Sequence, residues 1–196
     1  MEQVREMDGY RFAPITGPNH ARTKRTSWEA DVRGDAAIWM SKKMRGRVKR
    51  RGRGSGFVWI EAEAAVIYSC YMSPNSGMEG YVEFIEELVE SISTWNTRKL
   101  VVLAGDFNAA AEEWGSTHSD ARGDALMEMA NRRGLQFAND GMEPTFRSAG
   151  RESFLDLTWY TDGSTGRVSK WRVLDAESLS DHRDVAFRID TEDRLG

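Results

Sequence analysis

Three observations on the 196-residue chain predict an α/β fold in which helices cover a sheet of strands. Residues 100–104 (LVVLA) are a continuous apolar run cut off by Gly105, the pattern of a strand buried on both faces. From Glu79 onward Tyr81, Ile85, Leu88, Ile92 and Trp95 recur at helical spacing, with Val82 and Val89 widening the stripe. Strand-like segments lie on both sides of that helix, and stacking such elements in layers gives an α/β or α+β domain.

Taken in chain order, residues 10–15 and 36–41 read as short strands, and the polar stretch between them, with Pro18, Asn19 and Gly34, reads as a loop. Residues 57–63 alternate Phe57 and Trp59 with Val58 and Ile60, and residues 65–72 are rich in Val66, Ile67 and Tyr68, so the two are expected to form a hairpin. After the helix and the buried strand, residues 122–133 read as a second helix through Leu126, Met129 and Ala130, with Gly134 as its stop. Residues 154–160, 168–174 and 184–189 read as further strands. No internal repeat or low-complexity linker interrupts residues 1–196, so a single domain is expected.

Composition narrows the function classes. With 40% hydrophobic, 10% aromatic and 30% charged residues the chain has the make-up of a globular domain. Its longest apolar runs, residues 36–40 and 100–104, fall far short of the ~20 residues needed to cross a bilayer. The opening MEQVREMD is charged where a secretory signal would be apolar. The single cysteine, Cys70, cannot close an internal disulfide, so no oxidising compartment is required. An intracellular protein that spans no membrane is expected.

Formal net charge is −4, which by itself argues against a wholly basic nucleic-acid binder. Yet residues 42–53 carry eight cations (Lys42, Lys43, Arg45, Arg47, Lys49, Arg50, Arg51, Arg53) and no acid; without those eight charges the rest of the chain stands at −12. Such a run is either a solvated hairpin tip or loop, with nuclear-import value, or a patch that tracks nucleic-acid phosphates.

Four segments could carry chemistry. In LAGDFNA (residues 103–109) a buried strand delivers Asp106 and Asn108 at its end, on one face if the backbone stays extended, and a carboxylate beside a carboxamide can deprotonate and orient a water. Standing alone, the same pair is more often an Asx turn. Ser180-Asp181-His182 brings a carboxylate and an imidazole to a loop, in a chain whose only other histidines are His20 and His118. Asp156 is set in the apolar FLDL, where an unpaired carboxylate would cost several kcal/mol by rough estimate, and His182 is its obvious partner. Tyr71 and Asn75 flank a Pro/Gly turn, and the Thr145 and Ser153 hydroxyls could bind phosphate. The tryptophans read as core, with Trp114, beside Glu112 and Glu113, the one left as a base-stacking platform.

In this order, Tyr71 with Pro74-Asn75, Gly105-Asp106-Phe107-Asn108, Thr145-Phe146 with Ser153 and Asp156, and Ser180-Asp181-His182 resemble the endonuclease/exonuclease/phosphatase superfamily. Asn108-Ala109 followed by Trp114-Gly115-Ser116, then Arg122-Gly123 and Leu155-Asp156-Leu157-Thr158, are similar to the apurinic-type endonuclease domain of insect non-LTR retrotransposons that insert at chosen sites. The resemblance covers roughly residues 10–189. It implies a two-sheet α/β sandwich, here lacking the first strand and helix and so read as an N-terminally truncated piece, whose parent polypeptide carries a reverse transcriptase domain. It further implies a nuclear, magnesium- or manganese-dependent endonuclease acting on DNA.

By the same resemblance Asp106 is the general base, Asn108 orients the water, and His182, held by Asp156, stabilises charge on the phosphoryl oxygens with Tyr71 and Asn75. Thr145, Ser153, Lys49, Arg50, Arg51 and Arg53 would contact phosphate or DNA. The family carries a metal-ligand Glu at the end of its second strand; Glu2, 34 residues ahead of Ala36, matches that spacing and would hold the magnesium, helped by Asp181. Two other readings stay open: a phosphatase or phosphodiesterase of the same superfamily, and an inactive nucleic-acid-binding remnant.

Overall fold

The structure, a computed structural model, describes residues 28–63, 65–96, 98–141, 143–162, 166–175 and 180–191. Glu2 and the strand expected at residues 10–15 lie outside them. Strands β3 (Arg50–Gly54), β4 (Phe57–Glu61), β5 (Ala65–Tyr71), β6 (Leu100–Asp106), β7 (Leu135–Phe137) and β10 (Asp156–Thr161) form one sheet in the order β3-β4-β5-β6-β10-β7. β4 and β5 are the expected antiparallel hairpin. β5 and β6 run parallel, linked by helix α2 (Met78–Ser93), and β10 returns antiparallel to β6.

Each central strand is buried on both faces, which is why residues 100–104 show no alternation. On one face Tyr68, Leu103, Leu157 and Trp159 pack against Tyr81 and Leu88 of α2 and Leu126 and Met129 of α3 (Ala121–Arg133). On the other, Ile60, Ile67 and Val102 meet Ile38, Val168 and Phe187. The α2 stripe is centred on Tyr81, Phe84, Leu88 and Ile92; Ile85 packs at its margin and Val82 faces out at 40% exposure. Helix α3 begins where the Asp120 carboxylate accepts the Gly123 N–H at 2.7 Å and ends at Gly134 in the left-handed conformation. No helix among the described residues is long and apolar enough to cross a membrane.

The expected α/β sandwich is present, with a second layer on the other face of the main sheet. Among the described residues it consists of two separate antiparallel ribbons, β1 (Trp28–Ala30) with β2 (Ala37–Trp39), and β11 (Gly166–Val173) with β12 (Val185–Thr191). β1 lies inside the stretch read as loop: three residues are too few to show a period, and pairing with β2 creates the strand.

The basic run is not a hairpin tip. It forms the short helix α1 (Lys42–Arg45), capped by the Ser41 hydroxyl, and then the edge strand β3, where Arg50 bonds Glu61 at 2.6 Å and lies 4.7 Å over the Trp95 ring while Arg51 pairs with Glu29. Partners distant in sequence make a strand of residues that look, read locally, like a solvated tip.

Trp114 is no stacking platform. It sits fully buried on a 3₁₀ turn (Glu112–Trp114), donating its indole N–H to the Ala109 carbonyl, edge-on to Trp159. The neighbouring acids are exposed because they point away from the core it fills.

Candidate active site

The candidate residues Tyr71, Asp106, Asn108, Asp156 and His182 converge where β5 and β6 end and β10 begins. Register sets Asp106 opposite Tyr71 on one side and opposite Asp156 on the other. This convergence depends on Gly105, because a Cβ there would stand 1.8 Å from the Cys70 carbonyl oxygen and force β5 and β6 apart.

Beyond Asp106 the chain turns sharply. Asn108 adopts φ 45°, a left-handed conformation that Asn tolerates better than most residues. Its backbone N–H and its side-chain amide donate to the two oxygens of Asp106, at 3.0 and 2.8 Å, and the amide also donates to the Met72 carbonyl at 2.9 Å. The two side chains therefore meet, as expected, but through an Asx turn and not through a shared strand face.

His182 closes the cluster. Its Nδ1 lies 2.9 Å from Asp156 Oδ2 and its Nε2 3.7 Å from Asp106 Oδ2, so the imidazole stands between two buried carboxylates. Phe146, on β8 (Phe146–Ser148), braces the ring edge-on at 5.0 Å. Burial, together with the Asp156 charge, pushes the Asp106 carboxyl up to about 7, against the opposing pull of His182 and the two Asn108 bonds. Burial pulls His182 the other way, but the Asp156 hydrogen bond and the charges of Asp156, Asp106 and Asp181 outweigh it and hold the imidazole above its ordinary value. Tyr71 is raised as well, by burial and then by Asp106 and Asp35.

The remaining residues divide. Asn75 lies exposed in the turn after β5, its N–H on the Ser73 hydroxyl. Thr145 does not offer a hydroxyl to phosphate. It is fully buried, and its Oγ1 accepts the N–H groups of Leu155 and Asp156 at 3.1 and 3.0 Å while its carbonyl accepts the Arg183 N–H. Thr145 thus fixes both chains that carry the Asp156–His182 pair. Ser153, on β9 (Arg151–Ser153), pairs with Phe146.

Lys49, Arg50, Arg51 and Arg53 are exposed but remote. Arg50 is five rungs along and three strands across from Asp106, about 22 Å at ordinary strand spacings, and Arg53 two rungs and three strands, about 16 Å.

Asp181 is exposed, and among the described residues no three His, Cys, Asp or Glu side chains converge to hold a metal ion. The buried Asp156 Oδ1 has no partner, and a cavity of about 20 Å³, lined by Ser69, Thr158 and Arg183, adjoins Asp156. Asp156 is the one carboxylate lining that space, and one carboxylate does not supply the oxygen shell that magnesium requires. The described residues do not by themselves fit a metal centre.

Two organisers escaped the sequence reading. Asp31, buried, accepts the N–H groups of Arg33, Asp35, Ala36 and Gly56 and so anchors the β3–β4 turn beside Tyr71. Arg122 bonds four backbone carbonyls around the site. Its signal was a cation in the first turn of a helix, where acids are favoured.

The helix-covered sheet with an Asp-His-Asp cluster at its strand ends places the chain in the endonuclease/exonuclease/phosphatase superfamily once it is set beside known proteins. The family model described as Endonuclease-reverse transcriptase matches residues 65–186, and the chain belongs to that family. It is similar to the solved endonuclease domain of TRAS1, a telomere-specific non-LTR retrotransposon, at 28% identity and TM-score 0.67, covering 83% of this chain and 76% of that one.

Fold alone is shared with a mannosyl-6-phosphatase of Bacteroides thetaiotaomicron (15% identity, TM-score 0.56, 84% and 77% covered). The same holds for the 3′ phosphatase NExo from Neisseria, solved with product DNA hairpin (17%, 0.53, 71% and 66%). Comparison with curated proteins gave no match.

Proposed function

We propose that the chain is a DNA endonuclease that hydrolyses a phosphodiester by in-line attack of water, in the manner of target-site nicking by a non-LTR retrotransposon. The observation that carries this reading is the imidazole of His182 set between Asp156 at 2.9 Å and Asp106 at 3.7 Å. The 28% identity to a retrotransposon endonuclease domain favours a nucleic-acid substrate over a small phosphate ester.

Asp106, at about 7, takes the proton of the attacking water near neutral pH. Asn108, bonded to both its oxygens, orients that carboxylate. His182, oriented by the bond from its Nδ1 to Asp156 and helped by that carboxylate to hold its proton, stabilises negative charge on the phosphoryl oxygens, as Tyr71 and Asn75 do from the opposite rim. Lys49, Arg50, Arg51 and Arg53 hold more distant phosphates. Magnesium dependence belongs to the same proposal, with Glu2, outside the described residues, as the residue to test. So do a nuclear site of action and a reverse transcriptase region in the parent polypeptide.

The test is relaxation of supercoiled plasmid with magnesium and with a chelator, for the wild-type chain and for Asp106→Ala, His182→Ala and Glu2→Gln. Loss of nicking by about 10²-fold or more in the first two variants is expected. Wild-type nicking in either overturns the assignment, and turnover of a small phosphate monoester without nicking makes the protein a phosphatase of the same fold.

A further inference from the structure

Arg122 occupies the first turn of α3, yet its guanidinium points away from the helix and into the site's foundations. Nη1 donates to the carbonyls of Ser73 and Asn108, each at 3.2 Å; Nη2 donates to Pro74 at 3.3 Å and to Ser76. The guanidinium carbon lies 5.0 Å from the centroid of the buried Tyr81 ring, which supports the fork from below. One rigid group thus ties the turn that carries Asn75 to the turn that carries Asn108.

The helix is itself held close. A Cβ at Gly123 would stand 1.9 Å from the Ala110 carbonyl oxygen, and the Asp120 cap accepts the N–H groups of both Gly123 and Ala110. The start of α3 is therefore fixed against the loop leaving the site, and Arg122 transmits that position to the Asn75 turn.

We propose that Arg122 is a positioning residue that sets the gap between the Asn75 turn and the Asp106–Asn108 turn to the width of one phosphodiester, acting through Asn75 and Asn108 and not on substrate. This rests on reading those residues as substrate-facing. A lysine cannot replace it, because an ammonium is a point charge and bridging separate carbonyls of two loops requires a planar fork.

The test compares Arg122→Lys and Arg122→Ala with Arg132→Lys, a control on the exposed face of the same helix where Arg132 pairs with Glu128. Three readouts are taken: amide exchange, steady-state nicking, and the effect of Arg122→Lys on an Asn75→Ala background. Faster exchange confined to residues 72–77 and 107–111 is expected in both Arg122 variants. A kcat lower by about 10- to 100-fold is expected from misplaced groups, with KM within about twofold because uniform binding is untouched. The two substitutions should be non-additive, since Arg122 acts through Asn75.

Unchanged exchange in those segments, a wild-type kcat, or full additivity with Asn75→Ala overturns the proposal. If the wild-type chain nicks no DNA, the endonuclease reading fails by itself, and the exchange pattern alone then decides for or against the clamp.

Discussion

Asp106 and Asp156 stand directly opposite each other on the antiparallel strands β6 and β10, both buried, with His182 reaching across to each. Like charges in that position destabilise a sheet. The imidazolium compensates for them only while it keeps its proton, so the cluster should make both the stability and the proposed activity depend on pH.

Nicking should follow a bell-shaped pH profile. Its rising limb lies near pH 7, where Asp106 loses its proton, and its falling limb follows the loss of the His182 proton, which Asp156 and Asp106 hold above the ordinary imidazole value. Asp156→Asn keeps an acceptor for His182 but removes the charge that raises it, so the falling limb should move to lower pH. Initial rates across a buffer series check this.

Stability should run against function at Asp106. Its folded value of about 7 lies above its ordinary 3.8, so between those values the folded chain binds more protons than the unfolded one and stability falls as pH rises. His182, also raised, contributes fully below about 6.5 and loses that contribution as pH rises through its folded value, which has the same sign. Asp106→Asn should therefore abolish nicking while flattening the decline, leaving a variant more stable than wild type at pH 8. Urea unfolding at pH 5 and pH 8 measures both.

Thr145→Val should destabilise by about 2 kcal/mol or more, because it leaves the buried N–H groups of Leu155 and Asp156 without their acceptor. Thr145→Ser keeps the hydroxyl and should stay close to wild type in denaturant midpoint. Equal losses in the two variants would point to packing and away from the hydrogen bonds.

Replacing Lys49 and Arg53 by Ser should flatten the salt dependence of DNA binding by about 0.9 in log–log slope per lost phosphate contact, equally for specific and random duplexes. These positions test the charge more cleanly than Arg50, whose ring contact with Trp95 and bond to Glu61 also serve packing. An unchanged slope removes the β3 edge from the DNA-binding surface.

The sequence disclosed those features that rest on strong periodicity or on a buried charge. The α2 stripe, the apolar run of β6 and the end of α3 at Gly134 needed no partner to be recognised. Asp156 announced its need for a partner by sitting among Phe154, Leu155 and Leu157, and the partner is His182. The other contacts between distant segments leave no local signal.

The three-residue β1 becomes a strand only on β2, and Arg50 and Arg51, still exposed, find their ion-pair partners only in the distant Glu61 and Glu29. Thr145 reads as a spare hydroxyl until the fold buries it beneath Asp156. Asn108 was placed by strand alternation, yet its left-handed backbone brings it to Asp106, a local conformation that spacing cannot reveal.

The main sheet ends in β3 on one side and β7 on the other, and every open sheet exposes backbone donors and acceptors along its rims. The β3 rim, RRGRG, carries three arginines and two glycines, so a second copy approaching it would meet bulky charged groups and little apolar side-chain surface to pack against. The β7 rim is three residues long and offers too few rungs to template an incoming strand. Among the described residues, neither border favours stacking of one molecule on the next through an added strand.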